Sequence, residues 1–328
     1  MSWTGKRVLV TGAGGFIGSH LVERLVELGA NTRALVRYTS SGTWGWLDES
    51  PCKAEVEVIA GDLRDSHGMR RTMAGVDRVF HLGALIAIPY SYHAPESYVQ
   101  TNIEGTLNVL QCAREANVER VIHTSTSEVY GTAQYVPIDE KHPLVGQSPY
   151  SATKIAADKL AESFHLSFGT PVVTVRPFNT YGPRQSARAV IPTIITQCLT
   201  GDTVRLGNLA PTRDLTFVSD TVEGFVCAAE AGQAALGKTV NLGAGSDISI
   251  GDLAFKIAGL TGKAVSVQSD DQRMRPGGSE VERLLSDNRL ARELIGWTPQ
   301  VTLEAGLRLT IEWVERNLSR FRPDTYQL

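Results

Sequence analysis

The chain has 328 residues, of which 42% are hydrophobic and 20% charged, and its formal net charge is −3. This composition fits a soluble globular protein with a large core, built as one big domain or two unequal ones. A balance so near neutral gives no electrostatic reason to expect nucleic acid or an anionic membrane as partner.

The opening run from Met1 to Arg7 leads straight into a strand-like segment, leaving no room for a signal peptide. Short apolar runs at Arg7–Thr11, Thr32–Arg37, Val56–Ala60, Arg78–Leu82, Arg120–Thr124 and Val172–Arg176 predict strands. Helical patterns at Phe16–Leu28, Ser66–Met73, Glu96–Ala116 and Tyr150–Phe168 fall between them. Strand–helix alternation of this kind predicts a parallel sheet covered on both faces, an α/β doubly wound fold. Beyond Pro177 the sequence becomes loop-rich, and a strand-like run at Thr239–Leu242 is expected to return to the sheet. Further helices are expected at Ile191–Leu199, Ser219–Ala231, Ile250–Leu260, Asn288–Ile295 and Leu303–Asn317. The expected division is a dinucleotide-binding domain over 1–178, with a returning segment near 214–245, and a smaller mixed region over 179–328. The scattered Cys52, Cys112, Cys198 and Cys227 read as free thiols in a reducing cytoplasm, and no apolar run reaches the roughly 20 residues of a membrane span. His81, His123 and His142 lack ligand-like spacing and read as packing or loop residues, so no metal is expected.

Val8-Leu9-Val10-Thr11-Gly12-Ala13-Gly14-Gly15-Phe16-Ile17-Gly18 is a strand entering a glycine-rich turn and then a helix. Gly12 permits the tight turn, Gly15 lets the backbone approach a pyrophosphate, and Gly18 allows close helix–strand packing. The helix N-terminus attracts the phosphates. At the end of the second strand stands Leu35-Val36-Arg37-Tyr38, without the acid that commonly grips an NAD ribose, and Arg33 lies nearby. Arginine suits a 2′-phosphate, which favours NADP. The alternative is an NAD site in which an arginine stacks on adenine. Asp62, after the third strand, is expected near the adenine amino group.

The chemistry is carried by Thr124-Ser125-Thr126-Ser127-Glu128-Val129-Tyr130-Gly131 together with Tyr150-Ser151-Ala152-Thr153-Lys154. Tyr150 and Lys154 are four apart on a predicted helix, on one face and one turn apart. A neighbouring ammonium favours the phenolate, which makes Tyr150 a candidate proton acceptor. Thr126 is expected to hold a substrate oxygen, and Glu128 adds a second base that a plain alcohol dehydrogenase does not need.

These residues resemble the extended short-chain dehydrogenase/reductases over essentially the whole chain, and within them the nucleotide-sugar 4,6-dehydratases. The likeness rests on Thr11-Gly12-x-x-Gly15-x-x-Gly18, Thr126-Ser127-Glu128, Tyr150-x-x-x-Lys154 and Arg176-Pro177-x-Asn179-x-Tyr181-Gly182-Pro183. Arg213-Asp214 and Arg275-Pro276 before Ser279-Glu280 extend it. Longer strings, among them Trp44-Gly45-Trp46-Leu47 and Ile86-Ala87-Ile88-Pro89-Tyr90-Ser91-Tyr92, are similar to bacterial enzymes that dehydrate nucleotide-linked N-acetylglucosamine. Ser127 departs from the Asp of glucose-type dehydratases, as in mannose-type ones.

The resemblance implies a tightly bound, recycled NADP or NAD. Gly12, Gly15, Phe16, Ile17, Gly18, Arg37, Asp62, Leu63, Leu82, Ala84, Asn102, Thr124, Tyr150, Lys154 and Pro177 are then its site. It implies Thr126, Ser127, Glu128, Tyr150 and Lys154 as catalytic residues. Ile86, Asn179, Arg184, Val190, Arg213 and Arg275 would contact a nucleotide-diphosphate sugar. It also implies a homodimer through a four-helix interface, formed by the Glu96–Ala116 and Tyr150–Phe168 helices of two copies. A 4-epimerase needs the same Tyr150, Lys154 and Thr126 but no base at C5. A 5,6-dehydratase and a non-catalytic nucleotide-binding scaffold are the further alternatives.

Overall fold

A computed structural model describes residues 2–322 of the chain; Met1 and residues 323–328, the end of the expected second region, lie outside it. Seven parallel strands form the main sheet. They are β1 (Arg7–Thr11), β2 (Asn31–Arg37), β3 (Glu57–Gly61), β4 (Arg78–His81), β5 (Arg120–Thr124), β6 (Val172–Pro177) and, after further elements, Thr239–Leu242. That last strand pairs in parallel with β6, and the sheet order runs Thr239–Leu242, β6, β5, β4, β1, β2, β3. Val8, Leu9 and Val10 show why such strands are continuous apolar runs: each is fully buried, because helices cover both faces.

The covering helices include α1 (Phe16–Glu27), α2 (Ser66–Met73), α3 (Ile88–His93) and α4 (Pro95–Tyr98). They are followed by α5 (Gly105–Glu115) and α6 (Pro149–Phe168). The helix expected over Glu96–Ala116 is therefore broken. A π-helical stretch over Val99–Glu104 separates α4 from α5, and Asn102 sits in it. The strand order reverses between β1 and β4, and the C-terminal ends of these two strands open the crevice where doubly wound sheets place their ligands.

Helix α6 starts where its sequence dictates. Ser148 and Ser151 close a reciprocal capping box, Pro149 occupies the first turn, and Gly169 ends the helix in the left-handed region. The start is fixed tightly, and with it the placement of Tyr150 and Lys154.

The region after Pro177 is richer in strands than its loop-like sequence predicts. β7 (Asn179–Tyr181) runs parallel to Thr212–Phe217, and Asp247–Ser249 and Arg283–Leu284 flank that strand on either side. Each of these strands is short, and Pro, Gly and Arg between them mask the alternation. The free cysteines are as expected in kind: Cys52, Cys112 and Cys198 are buried and Cys227 half-buried, none in a disulfide. Among the described residues no helix is long and apolar enough to cross a membrane.

Candidate active site

The glycine turn is locked by close approach. Gly12 has φ +69, and a Cβ there would lie 2.9 Å from the Gly83 backbone. A Cβ on Gly18 would come within 2.2 Å of the Gly12 carbonyl oxygen. Helix α1 begins at Gly15 with no side-chain cap and no acid in its first turn, so its leading N–H groups remain for an anion. Phe16 and Ile17 are half-buried in that first turn.

The other expected cofactor residues lie around the same edge of the sheet. Arg37 ends β2 and is exposed, and its charge acts on Asp62, which follows β3 and is paired with Arg64 at 2.6 Å. Leu63 is buried, and Leu82 and Ala84 follow β4 half-buried. Pro177 closes β6. Thr124 closes β5, and its buried Oγ1 has no hydrogen-bond partner among the described residues. Asn102 is spent otherwise: it accepts from the Leu85 N–H at 2.8 Å and donates to the Leu85 carbonyl and to Thr153 Oγ1. It braces the loop after β4.

Two arginines stand elsewhere than the sequence implied. Arg33 lies mid-strand, donating to Glu57 and to the carbonyls of Thr72 and Ala74 at the end of α2, so it is not available to a 2′-phosphate. Arg184, expected at the nucleotide, has φ +70 and turns its guanidinium onto α1, donating to Glu23 at 2.9 Å and to Ser19. Its charge is already paired.

The catalytic candidates do converge. Thr126 precedes a short 3-10 turn over Ser127–Tyr130, and its hydroxyl accepts from the Glu128 N–H. The Thr126 hydroxyl also hydrogen-bonds Tyr150, and the Glu128 charge acts on the same phenol. Ser127 is buried, 2% exposed, beside them. Burial pushes the Tyr150 phenol well above its ordinary range, with the Thr126 hydrogen bond pulling the other way and Glu128 adding to the push.

Lys154 is buried, and burial brings its ammonium down from 10.5 to about 8. It donates to the Thr124 carbonyl at 2.6 Å. Burial thus opposes the phenolate that a neighbouring Lys154 ammonium is expected to favour.

Arg213 is buried and Arg275 half-buried, and both face Glu280, at 3.4 and 3.7 Å. Burial pulls the Arg213 guanidinium down, and the Glu128 charge offsets this. The buried atoms Asn179 Oδ1 and Arg275 Nη1 lack hydrogen-bond partners among the described residues. Buried polar atoms are rarely left so; the Arg275 Nη1 is a donor of the kind a diphosphate takes, whereas the Asn179 oxygen is an acceptor that calls for a hydroxyl or N–H donor. Val190 begins a helix over Val190–Thr200 and is half-buried, while Ile86 stands 61% exposed. Glu280 was quoted in the sequence only as a motif residue; its position five residues after Arg275 was the available signal. Among the described residues no cluster of three or more His, Cys, Asp or Glu forms a metal site.

The residues present fit a dinucleotide: an uncapped helix end behind a tight glycine turn, an unpartnered Thr124 hydroxyl, and a buried ammonium at the end of β5. Comparison with known proteins agrees. The family described as GDP-mannose 4,6 dehydratase matches residues 9–310. A UDP-glucose 4-epimerase of Mycolicibacterium smegmatis is 34% identical over 96% of this chain and 100% of its own length. A dTDP-glucose 4,6-dehydratase of Streptomyces griseus is 33% identical over 96% of both. The structure of a dTDP-glucose 4,6-dehydratase from Streptomyces venezuelae with NAD bound superposes with a TM-score of 0.87. It is 30% identical, covering 97% of this chain and 99% of that one. The chain belongs to the nucleotide-sugar dehydratase family of the extended short-chain dehydrogenase/reductases.

Proposed function

We propose that the protein is an NAD(P)-dependent nucleotide-sugar 4,6-dehydratase whose substrate is a nucleotide-linked N-acetylglucosamine. The observation that carries the reaction is Glu128, a carboxylate that shares the pocket with Tyr150 and Thr126 and whose charge reaches Arg213. An epimerase of this family has no use for a base at that point. The sugar identity rests on the strings around Trp44 and Ile86, and the exposed Ile86 supports an apolar rim for an acyl group.

NAD(P)+, when bound, supplies a hydride acceptor and a positive charge that favours the Tyr150 phenolate. Tyr150 accepts the proton of the sugar C4 hydroxyl, which the Thr126 hydroxyl holds, as C4 becomes a ketone. The ketone acidifies the C5 hydrogen, and Glu128 removes it as general base. Glu128 then passes this proton to the departing C6 hydroxyl, which leaves as water, with Ser127 beside it. A reduced nicotinamide held by the glycine turn would supply the hydride that C6 takes; a proton drawn from solvent through Glu128 closes C5, and Tyr150 releases its proton to solvent. Atoms balance as NDP-hexose giving its 4-keto-6-deoxy form plus water.

Arg213 and Arg275 neutralise the diphosphate, with the Asn179 amide beside it. Replacing Arg213 by Ala removes the buried one of the two cations, and KM for the nucleotide sugar is expected to rise by about 30-fold or more, since truncating one partner of a buried charge pair costs roughly 2–5 kcal/mol. A KM changed by less than a factor of about two, far short of the loss of such a pair, would place the diphosphate elsewhere.

NADP is the favoured cofactor, supported by the exposed Arg37 at the end of β2, although Arg33 no longer contributes and the Arg37 charge also acts on the Asp62 carboxylate. Mass spectrometry of the nucleotide released from denatured protein tests this. A homodimer is proposed through the outer surfaces of the α4–α5 and α6 segments, where Val99 and Ala152 are exposed and Ile103 and Ala156 half-buried. Light scattering of the purified protein is expected to give twice the chain mass; the mass of one chain rejects the dimer. Cytoplasmic location is the matching expectation for a reaction on nucleotide sugars.

The deciding experiment incubates the protein with UDP-, GDP- and dTDP-linked hexoses and their N-acetyl forms and follows product mass. Loss of one water supports dehydration. A product of unchanged mass would establish the epimerase instead.

A further inference from the structure

Behind the catalytic pair lies a layer of buried charge that the reaction scheme does not use. Asp158 stands one helical turn beyond Lys154 and two beyond Tyr150 on α6, so the three share one face. It is buried, 5% exposed, yet fully hydrogen-bonded. Asp158 Oδ1 accepts from His123 Nε2 at 3.0 Å. Its Oδ2 accepts from Ser125 Oγ at 2.6 Å and from Arg176 Nη2 at 2.9 Å. Arg176 in turn donates to the Tyr130 hydroxyl, which donates to Asn241 at 2.7 Å.

The charged and titratable groups around Lys154 are few. From α6 itself come Tyr150 and Asp158. His123 approaches from β5 and His81 from β4, their rings 5.9 Å apart, and Arg176 of β6 stands behind Asp158. Burial holds both imidazoles below their ordinary range, so they are neutral at working pH and bring no countercharge. The phenol of Tyr150 is neutral as well. Among the described residues Asp158 is the one group whose charge opposes the loss of the Lys154 proton. Burial pushes the Asp158 carboxyl up, but His123, Arg176 and Ser125 together bring it to about 2, so it is ionised at every working pH.

We propose that Asp158 is the fixed counter-ion of Lys154, a positioning residue that keeps the ammonium protonated through the field of its carboxylate and so sets the alkaline limit of the enzyme. The donors His123 Nε2, Ser125 Oγ and the Arg176 guanidinium serve to pin that charge in place. The physical case is one of low dielectric: a buried ammonium with no countercharge neutralises, and a carboxylate one turn away along the helix prevents this. Arg176 shares the same carboxylate, which makes the sign of its effect opposite.

This inference rests on Lys154 working in the nicotinamide site, but its test does not need turnover. Full-length protein labelled at the lysine ε-carbon is titrated by NMR with NAD+ present, the Lys154 resonance being assigned by its loss in Lys154→Met. In Asp158→Asn the Lys154 midpoint is expected to fall by about one pH unit or more, the size expected for removing a nearby opposite charge. Asp158→Glu is expected to restore it. In Arg176→Gln, where the carboxylate is no longer shared, the midpoint is expected to rise. The alkaline limb of kcat/KM should move with the midpoint in each variant.

A midpoint unmoved in Asp158→Asn, or shifts of the same sign in the Asn and Gln variants, would overturn the proposal. Circular dichroism and thermal unfolding identify any variant that does not fold. Should Asp158→Asn be one, Arg176→Gln decides by the sign of its shift. If the shifts appear but no nucleotide sugar is turned over, the dehydratase reading fails while the role of Asp158 stands.

Discussion

Glu128→Gln is expected to lower kcat for dehydration by about 10²- to 10⁴-fold, the span of a lost general base, while leaving the first oxidation intact. The amide cannot take the C5 proton, so exchange of solvent deuterium into C5 stops. The reduced nicotinamide formed in the first step then has no route onward, and its absorbance should accumulate on mixing with substrate. The electrostatics favour this separation, because the Glu128 charge is one of the influences raising the Tyr150 phenol. Removing it eases ionisation of Tyr150. Rapid mixing followed by mass analysis of C5 deuterium reads both halves. Unchanged turnover in the variant sinks the assignment of Glu128, and with it the case for dehydration over epimerisation.

Tyr150→Phe is expected to cause a loss of similar size, about 10²- to 10⁴-fold, but at the other end of the sequence of steps. No reduced nicotinamide should form, because the C4 hydroxyl has no proton acceptor. The fold should survive. Phe keeps the edge-to-face contact with Tyr98, whose ring lies 6.3 Å away at 81°, and removes a hydroxyl whose described protein partner is Thr126. Any limb of the parent's pH profile that reports ionisation of the Tyr150 phenol should vanish in the variant, while the alkaline limb set by Lys154 remains. Equal behaviour of the two variants in the cofactor-reduction assay would show that Tyr150 and Glu128 do not divide the labour in this way.

The strands and helices of the first half were legible because each carries its own period. Buried parallel strands such as Val8-Leu9-Val10 are apolar throughout, and α6 is bounded by a capping box and a left-handed glycine. The break between α4 and α5 was not legible, since the π-helical stretch at Val99–Glu104 keeps a helical composition. Nor were the short strands after Pro177, whose pairing partners lie tens of residues away. Thr126, Glu128, Tyr150 and Lys154 were legible as a set because two short local motifs contain them.

What the sequence determined alone was therefore what is written locally: the glycine turn, the sheet class, and which residue types are candidates for catalysis. Three matters fell to the tertiary structure. Arg33 and Arg184 are cations whose partners, Glu57 and Glu23, only the fold could bring to them. The protonation of Tyr150 and Lys154 depends on burial and on charges from other elements, so spacing on a helix placed them on one face without fixing their electrostatics. Asp158 became a candidate only once His123 from β5 and Arg176 from β6 were seen to converge on it. Local pattern fixes which groups a segment carries, whereas desolvation and charge pairing are properties of the whole packed interior.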